Sequence, residues 1–260
     1  MLADCHTHLD QYDSSELPGI LERARAAGVV LIVVAATTLK SCELILNLTR
    51  AHPNLYAGIG LHPMNMKAPL DDATLQRLYE FARSDPKVIA VSEVGLDFMP
   101  NTLDRTDQEN AFRAEIRLAR ETRLPIIFHS RNSNPEVLQM LREENADEVG
   151  GAWHYFQGTL EEAQEAMASG FCISLAKTLL RLPDLQAIVR EIPLEQIVLE
   201  TDSYPQPWKK KRENWTEPHH VSLVAEKLAE IKGISISEVA AATSKNLGKV
   251  LKGRVPQLTG

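Results

Sequence analysis

His6 and His8 flank Thr7 near the start of the chain, and Glu93, His129, His154 and Asp202 follow, each at the end of a short apolar run. Imidazoles and carboxylates are ligands for divalent cations. Side chains two apart on a strand point the same way, so His6 and His8 can face one ion. Taken singly, any of the six could be a polar strand cap or a satisfied core residue. All six together cannot be read so easily. A buried imidazole or carboxylate without a partner is costly, whereas a cation satisfies several at once. Nitrogen and oxygen donors without cysteine suit Zn²⁺, Mn²⁺, Co²⁺, Fe²⁺ or Ni²⁺, with Mg²⁺ at an oxygen-rich position. Six donors exceed the needs of one tetrahedral zinc that keeps an open position. Two divalent ions sharing a carboxylate fit better. Such a pair can hold the attacking and leaving oxygens of a displacement at phosphorus.

The elements that must position these residues follow a rhythm. Apolar, partly β-branched runs occupy Leu2–Cys5, Val29–Ala35, Leu55–Ile59, Val88–Val91, Ile126–Phe128, Gly151–Trp153, Phe171–Ile173 and Ile197–Leu199. Amphipathic stretches with three- and four-residue apolar spacing separate them: Pro18–Ala27, Lys40–His52, Asp72–Ser84, Arg105–Thr122, Asn134–Asn145, Thr159–Ser169, Leu182–Glu191 and Pro218–Lys232. A further helical pair, Ser235–Thr243 and Ser244–Leu251, ends the pattern. Alternating strands and helices imply parallel pairing through crossover connections. Eight such units in 260 residues predict an α/β fold, a (β/α)₈ TIM barrel forming a single domain over residues 1–260. An open doubly wound sheet would carry a glycine-rich phosphate loop after its first strand, and none is present. In a barrel the six candidate ligands fall at the downstream ends of five strands, the face where such enzymes do their chemistry.

Hydrophobic residues at 44% and charged residues at 24% match a globular domain and speak against disorder. Cys5, Cys42 and Cys172 are too few and too scattered for a disulfide framework or a zinc ribbon, as expected in a reducing compartment. The first residues lack the basic and apolar regions of a secretory signal, and Val29–Ala36 is too short to span a bilayer. These features predict a cytoplasmic protein with no membrane partner, and nothing indicates an obligate protein partner. A net charge of −7 argues against a broad basic surface for nucleic acid. It leaves room for a nucleic-acid substrate held by metal ions and a local patch, such as Lys209-Lys210-Lys211-Arg212, a run that is otherwise a solvated loop.

The chain resembles the TatD family of metal-dependent deoxyribonucleases, among the amidohydrolase-like barrels. The resemblance runs nearly end to end through Asp4-Cys5-His6-Thr7-His8-Leu9-Asp10, Gly60-Leu61-His62-Pro63, Ser92-Glu93-Val94-Gly95-Leu96-Asp97, Leu124-Pro125-Ile126-Ile127-Phe128-His129-Ser130-Arg131 and Glu200-Thr201-Asp202. It implies that His6 and His8 bind one metal ion, with Asp202 beside it. Glu93 would bridge to a second ion bound by His129 and His154. The ions would be Zn, Mn or Mg. Asp202 would also be the general base for the attacking water, making Asp202 and Glu93 the catalytic pair, while His62 and Arg131 would contact the substrate phosphate. For His62, a purely structural role in its loop is an equal alternative. Two stretches depart from the family pattern. His154-Tyr155-Phe156-Gln157-Gly158 has Tyr155 where the family usually carries Cys, and the segment after Asp202 is longer than usual.

The leading expectation is metal-dependent hydrolysis of phosphodiester bonds in DNA or a nucleotide-containing substrate; a 3′-to-5′ exonuclease is implied by the resemblance alone. The alternative is a related barrel hydrolase acting on a small amide, lactone or phosphoester. A basic strip combined with Trp208, Trp215 or Tyr204 would favour nucleotides, and a small closed apolar pocket the alternative. A binding protein that has lost catalysis would be missing ligands, and every expected ligand is present. His219 and His220, after Pro218, are expected to be structural or solvent-facing.

Overall fold

A computed structural model describes residues 1–255. Its eight strands are β1 Leu2–Thr7, β2 Val29–Ala35, β3 Leu55–Ile59, β4 Val88–Asp97, β5 Ile126–Arg131, β6 Gly151–Trp153, β7 Phe171–Leu175 and β8 Ile197–Leu199. Consecutive strands pair in parallel in the order β1 to β8. A parallel bridge between Thr7 and Ser203 closes the ring. His8 N–H donates to Ser203 O at 2.8 Å and Asp202 N–H to His6 O at 3.0 Å. The fold is the expected (β/α)₈ barrel. The last five residues of the expected domain, 256–260, lie outside the described residues.

Among the described residues nine α-helices follow the strands: α1 Leu17–Ala26, α2 Leu39–Ala51, α3 Asp72–Ser84, α4 Arg105–Thr122, α5 Asn134–Glu143, α6 Leu160–Ala168, α7 Pro183–Glu191, α8 Val221–Lys232 and α9 Ile236–Val250. Their starts are written in the sequence. Asp71 and Asp104 cap α3 and α4, and capping boxes open α2 (Thr38, Ser41), α6 (Thr159, Glu162) and α9 (Ser235, Glu238). Arg123 and Gly233 end α4 and α8 in the left-handed region.

All eight expected strands occur, and β1, β4, β5 and β7 run further than their apolar cores, so His6, Glu93 and His129 lie within strands rather than just after them. The expected final helical pair is one continuous helix, α9. No breaker separates Thr243 from Ser244, and Thr243 Oγ1 donates to Val239 O one turn back. At the other boundary, Pro218–His220 forms a single 3₁₀ turn before α8.

Two apolar layers result. The larger packs the outer faces of the strands against the helices, with Phe112, Phe128, Trp153, Phe156 and Phe171 all buried there. The smaller fills the barrel itself: Ala3, Cys5, Leu31, Val33, Ile89, Ile127, Ala152 and Val198 meet Leu247, Val250 and Leu251 from the α9 end, which plugs the floor. That plug leaves only the opposite end of the barrel, where the strands finish, for polar groups. No helix is long and apolar enough to cross a membrane among the described residues.

Candidate metal centre

The carboxylate of Glu93 is the hub of that open end and is only 3% exposed. Its Oε2 lies 3.4 Å from His6 Nε2 and 3.3 Å from His8 Nε2. Its Oε1 lies 3.1 Å from His129 Nδ1, 3.5 Å from His154 Nε2 and 3.2 Å from His62 Nε2. Asp202 Oδ1 approaches His8 Nε2 at 3.4 Å, and the His6 and His8 Nε2 atoms are 3.3 Å apart. Donors around a cation at about 2.1 Å stand roughly 3.4 Å from one another in a tetrahedron, the spacing seen here. His6, His8 and Glu93 form one group placed to hold a metal ion; His6, His154 and Asp202 form a second, and Glu93, His129 and His154 a third. His129 faces Glu93 through Nδ1, so its imidazole lies across the cleft from the His6–His8 pair.

Two β-bulges aim these side chains. Between Asp4 and Thr7, β1 advances three residues while β2 advances two, and between Val91 and Val94, β4 does the same against β5. Val91 and Val94, three apart, both belong to the outer layer, which strict alternation would forbid. On β1, Ala3 and Cys5 point into the barrel. Uninterrupted alternation would therefore turn His6 and His8 outward. The extra residue reverses that parity and brings both to the mouth.

The hydrogen-bond network assigns the imidazole tautomers, and they are not alike. His8 Nδ1 lies 3.0 Å from Ala35 O, and His129 Nε2 lies 2.9 Å from Asp97 Oδ2. In each the outer nitrogen donates, leaving a lone pair facing Glu93. His154 Nδ1 sits 2.9 Å from Glu200 Oε1, an electrostatic contact rather than a well-aligned hydrogen bond. His62 is reversed. Its Nδ1 accepts from Met64 N–H at 3.1 Å, so Nε2 carries the hydrogen that faces Glu93. His62 is thus built as a donor, although with Asp97 and His129 it could by distance form a further cation group. His6 Nδ1 is buried without a hydrogen-bond partner among the described residues.

The charges reinforce one another. Burial alone would raise the Glu93 pKa, but the surrounding imidazoles, led by His62, His154 and His6, hold it well below the usual range. Burial likewise opposes Asp202, and the His8 hydrogen bond with the charges of His154, His8 and His6 brings it down to about 2. Burial works against a charged His154, yet Glu200 and Glu93 push it up to about 9. His8 is also raised, because Asp202 and Glu93 outweigh its burial, while burial and the neighbouring His154 lower His6. This many buried carboxylates requires cationic partners, which a divalent ion or protonated imidazoles can supply.

Asp97 and Glu200, which stand in the sequence motifs without an expected role, lie directly behind His129 and His154. Asp97 holds both His129 and Arg131, whose Nη2 lies 2.7 Å from Oδ2. Glu200 is fully buried, accepts from Tyr155 N–H at 2.8 Å and Ser174 Oγ at 2.5 Å, and faces His154. A signal existed for Glu200, which directly follows β8 and stands two residues before Asp202. Nothing in the spacing of Asp97 marks its contact with His129. Tyr155 and Asp202 both adopt left-handed backbone, with φ of 51° and 50°, a conformation that costs a non-glycine residue about 1–2 kcal/mol. His219 and His220 lie away from this cleft. His220 Nδ1 is 3.0 Å from Glu217 N and His219 Nδ1 is 3.3 Å from the Glu217 carboxylate, which fits their expected structural role.

A cleft of about 920 Å³ opens over the centre, and its lining includes His62, Asn65, Arg131, Tyr155, Gln157 and Tyr204. The description "TatD related DNase" covers the family model that matches residues 3–252. The chain belongs to the TatD DNase family. It is 34% identical to the metal-dependent hydrolase YabD of Bacillus subtilis (strain 168) across 97% of this chain and 99% of that protein. It is 31% identical to the human deoxyribonuclease TATDN3 across 96% and 94%. Among solved structures, YJJV, a TATD homolog from Escherichia coli K12, superimposes with a TM-score of 0.85 at 28% identity over 96% of this chain and 97% of that one. The family membership and the donor groups around Glu93 both support divalent metal ions as this TatD-family chain's cofactors.

Proposed function

We propose that the chain is a metal-dependent deoxyribonuclease that hydrolyses phosphodiester bonds in DNA. The observation that carries this reading is the division of donors between the two oxygens of Glu93, His6 and His8 on Oε2 and His129 and His154 on Oε1. His6, His8 and Asp202 would hold one divalent ion and His129 and His154 a second, with Glu93 between them. When bound, the ions supply positive charge to the phosphate and make water a stronger acid. Asp202, whose carboxylate stays ionised, takes the proton of the attacking water. His62 Nε2–H and the guanidinium of Arg131, braced by Asp97, bind phosphate oxygens. Glu200 and Asp97 orient His154 and His129 from behind.

The polar lining of the cleft favours DNA over the alternative small amide or lactone, for which a closed apolar pocket would be expected. The test is release of nucleotides from end-labelled single-stranded DNA by metal-stripped protein, with Mg²⁺, Mn²⁺ or Zn²⁺ restored in turn. Metal-dependent shortening from one end is expected. Asp202→Asn should lower turnover about 10²–10⁴-fold while losing proportionately less metal. Loss of metal and activity in equal measure would make Asp202 a ligand only, and no shortening with any metal would sink the nuclease reading.

A further inference from the structure

Trp208 is 65% exposed, an uncommon position for the residue with the largest apolar surface. It does not stand alone. Its ring centroid lies 5.8 Å from that of Tyr204, tilted by 45°, and Tyr204 in turn meets His8 edge-on at 6.5 Å. The three rings meet in succession, from His8 in the metal centre to the exposed indole. Tyr204 lines the cleft, and Trp208 lies beside it in the segment after Asp202.

Cations accompany the rings. Lys209 follows Trp208 directly, and its ammonium is anchored to Asn214 O at 2.8 Å. Burial lowers the pKa of Lys177, after β7, and the charge of the nearby Lys209 lowers it further. Arg131 lines the same cleft and is near enough to Tyr204 to influence its phenol. Trp215 is not part of this surface. It is half-buried beneath the Arg212 guanidinium, 4.4 Å from its ring, and tilts against Tyr12.

We infer that Tyr204 and Trp208 form a stacking step for unpaired bases beside the scissile phosphate, with Lys177 and Lys209 holding the backbone that runs past them. This inference rests on the nuclease reading and deepens it by naming the side chains that would hold the bases beside the cleaved bond. A base has an aromatic face for the exposed rings and a phosphate for the lysines, which is the chemistry that single-strand binding grooves combine. A paired base keeps its faces inside the duplex stack and cannot lie on Trp208. Tyr204 would take the base nearest the cleaved bond, and Trp208 the next one outward.

The experiment compares metal-loaded wild type, Trp208→Ala and Trp208→Phe on two single-stranded oligonucleotides. One carries normal nucleotides throughout; the other has abasic residues at the two positions next to the bond cleaved. Wild type should prefer the normal strand in kcat/KM by about tenfold to a hundredfold, mostly through KM. In Trp208→Ala that preference should shrink by about tenfold, and Trp208→Phe should recover most of it. An unchanged preference in Trp208→Ala, with DNA cleavage intact, would overturn the stacking step and leave the nuclease standing. An equal loss on both strands would reduce Trp208 to a structural role and overturn it as well. So would a wild-type dimer in solution that Trp208→Ala dissociates, since the exposed indole would then face a second copy. If wild type cleaves neither strand with any metal, the nuclease reading falls and takes this inference with it.

Discussion

The two ends of one barrel are built from the same eight strands and have opposite chemistry. At the floor, Leu31, Val33, Ile127 and Val198 pack against Leu247, Val250 and Leu251 in an apolar layer. At the mouth, five imidazoles crowd the carboxylate of Glu93. Apolar burial at the floor contributes stability residue by residue, about 1.5–3 kcal/mol for each large side chain. The mouth instead concentrates groups whose desolvation is unfavourable unless charges compensate one another. The difference teaches that stability and chemistry are separable here along the barrel axis, so substitutions at the two ends should fail in different ways.

The largest separation should come from Glu93→Ala. It removes the carboxylate that both donor sets share, so activity should fall by at least about 10³-fold and metal content should drop, while circular dichroism shows the barrel intact. Near-normal turnover with full metal content would break the bridging role. Leu247→Ala is its mirror image at the floor. It should cost about 2–5 kcal/mol in denaturant unfolding, with kcat of the folded fraction unchanged, because the cavity it leaves is far from the mouth. A fall in kcat without loss of stability would show that the two ends are coupled.

A finer division lies behind the ligands. Glu200→Gln keeps the shape of the side chain but removes the charge facing His154, so metal affinity should weaken about 10–100-fold with little change in melting temperature. Metal titration of stripped protein reads this directly, and unaltered affinity would remove Glu200 from the centre. The smallest effect is expected in a separate hollow beside α1, where Glu217 accepts from Arg23 at 2.7 and 2.9 Å and pairs with Arg212 at 2.9 Å. Burial pushes Glu217 up, but the two guanidiniums pull its pKa below the ordinary value. A depressed carboxylate stabilises the fold fully above its unfolded pKa and loses that contribution as the pH falls through the folded one. Glu217→Gln should therefore cost about 1 kcal/mol at neutral pH, since Arg23 is half-exposed and screened. The difference from wild type should close in acid, as melting curves against pH would show; a gap that persists there would assign the loss to packing.

Much of this molecule was legible in the chain. Eight apolar runs alternating with amphipathic stretches encode a parallel barrel, since hydrophobic periodicity and short connections are local properties. The capping residues of α2, α3, α4, α6 and α9 announce where helices begin. His6, His8, Glu93, His129, His154 and Asp202 could be picked out because each follows an apolar run, and strand ends on one face of a barrel must converge. The unbroken α9 and the longer strands were less visible, because the ends of elements depend on packing partners elsewhere in the chain.

What the sequence determined by itself was therefore the order of elements, the family, and which residue types stand at the mouth. Only the tertiary structure decided how they face. The bulges in β1 and β4 set the parity that turns His6, His8 and Glu93 inward, and a bulge is a mismatch between two strands that neither strand's own pattern records. The tautomers came from Ala35 O, Asp97 and Met64 N–H, partners supplied by the fold, which make His8 and His129 lone-pair donors and His62 a proton donor. The same holds for the exposed Trp208, whose place beside Tyr204 depends on how the segment after Asp202 lies against the barrel.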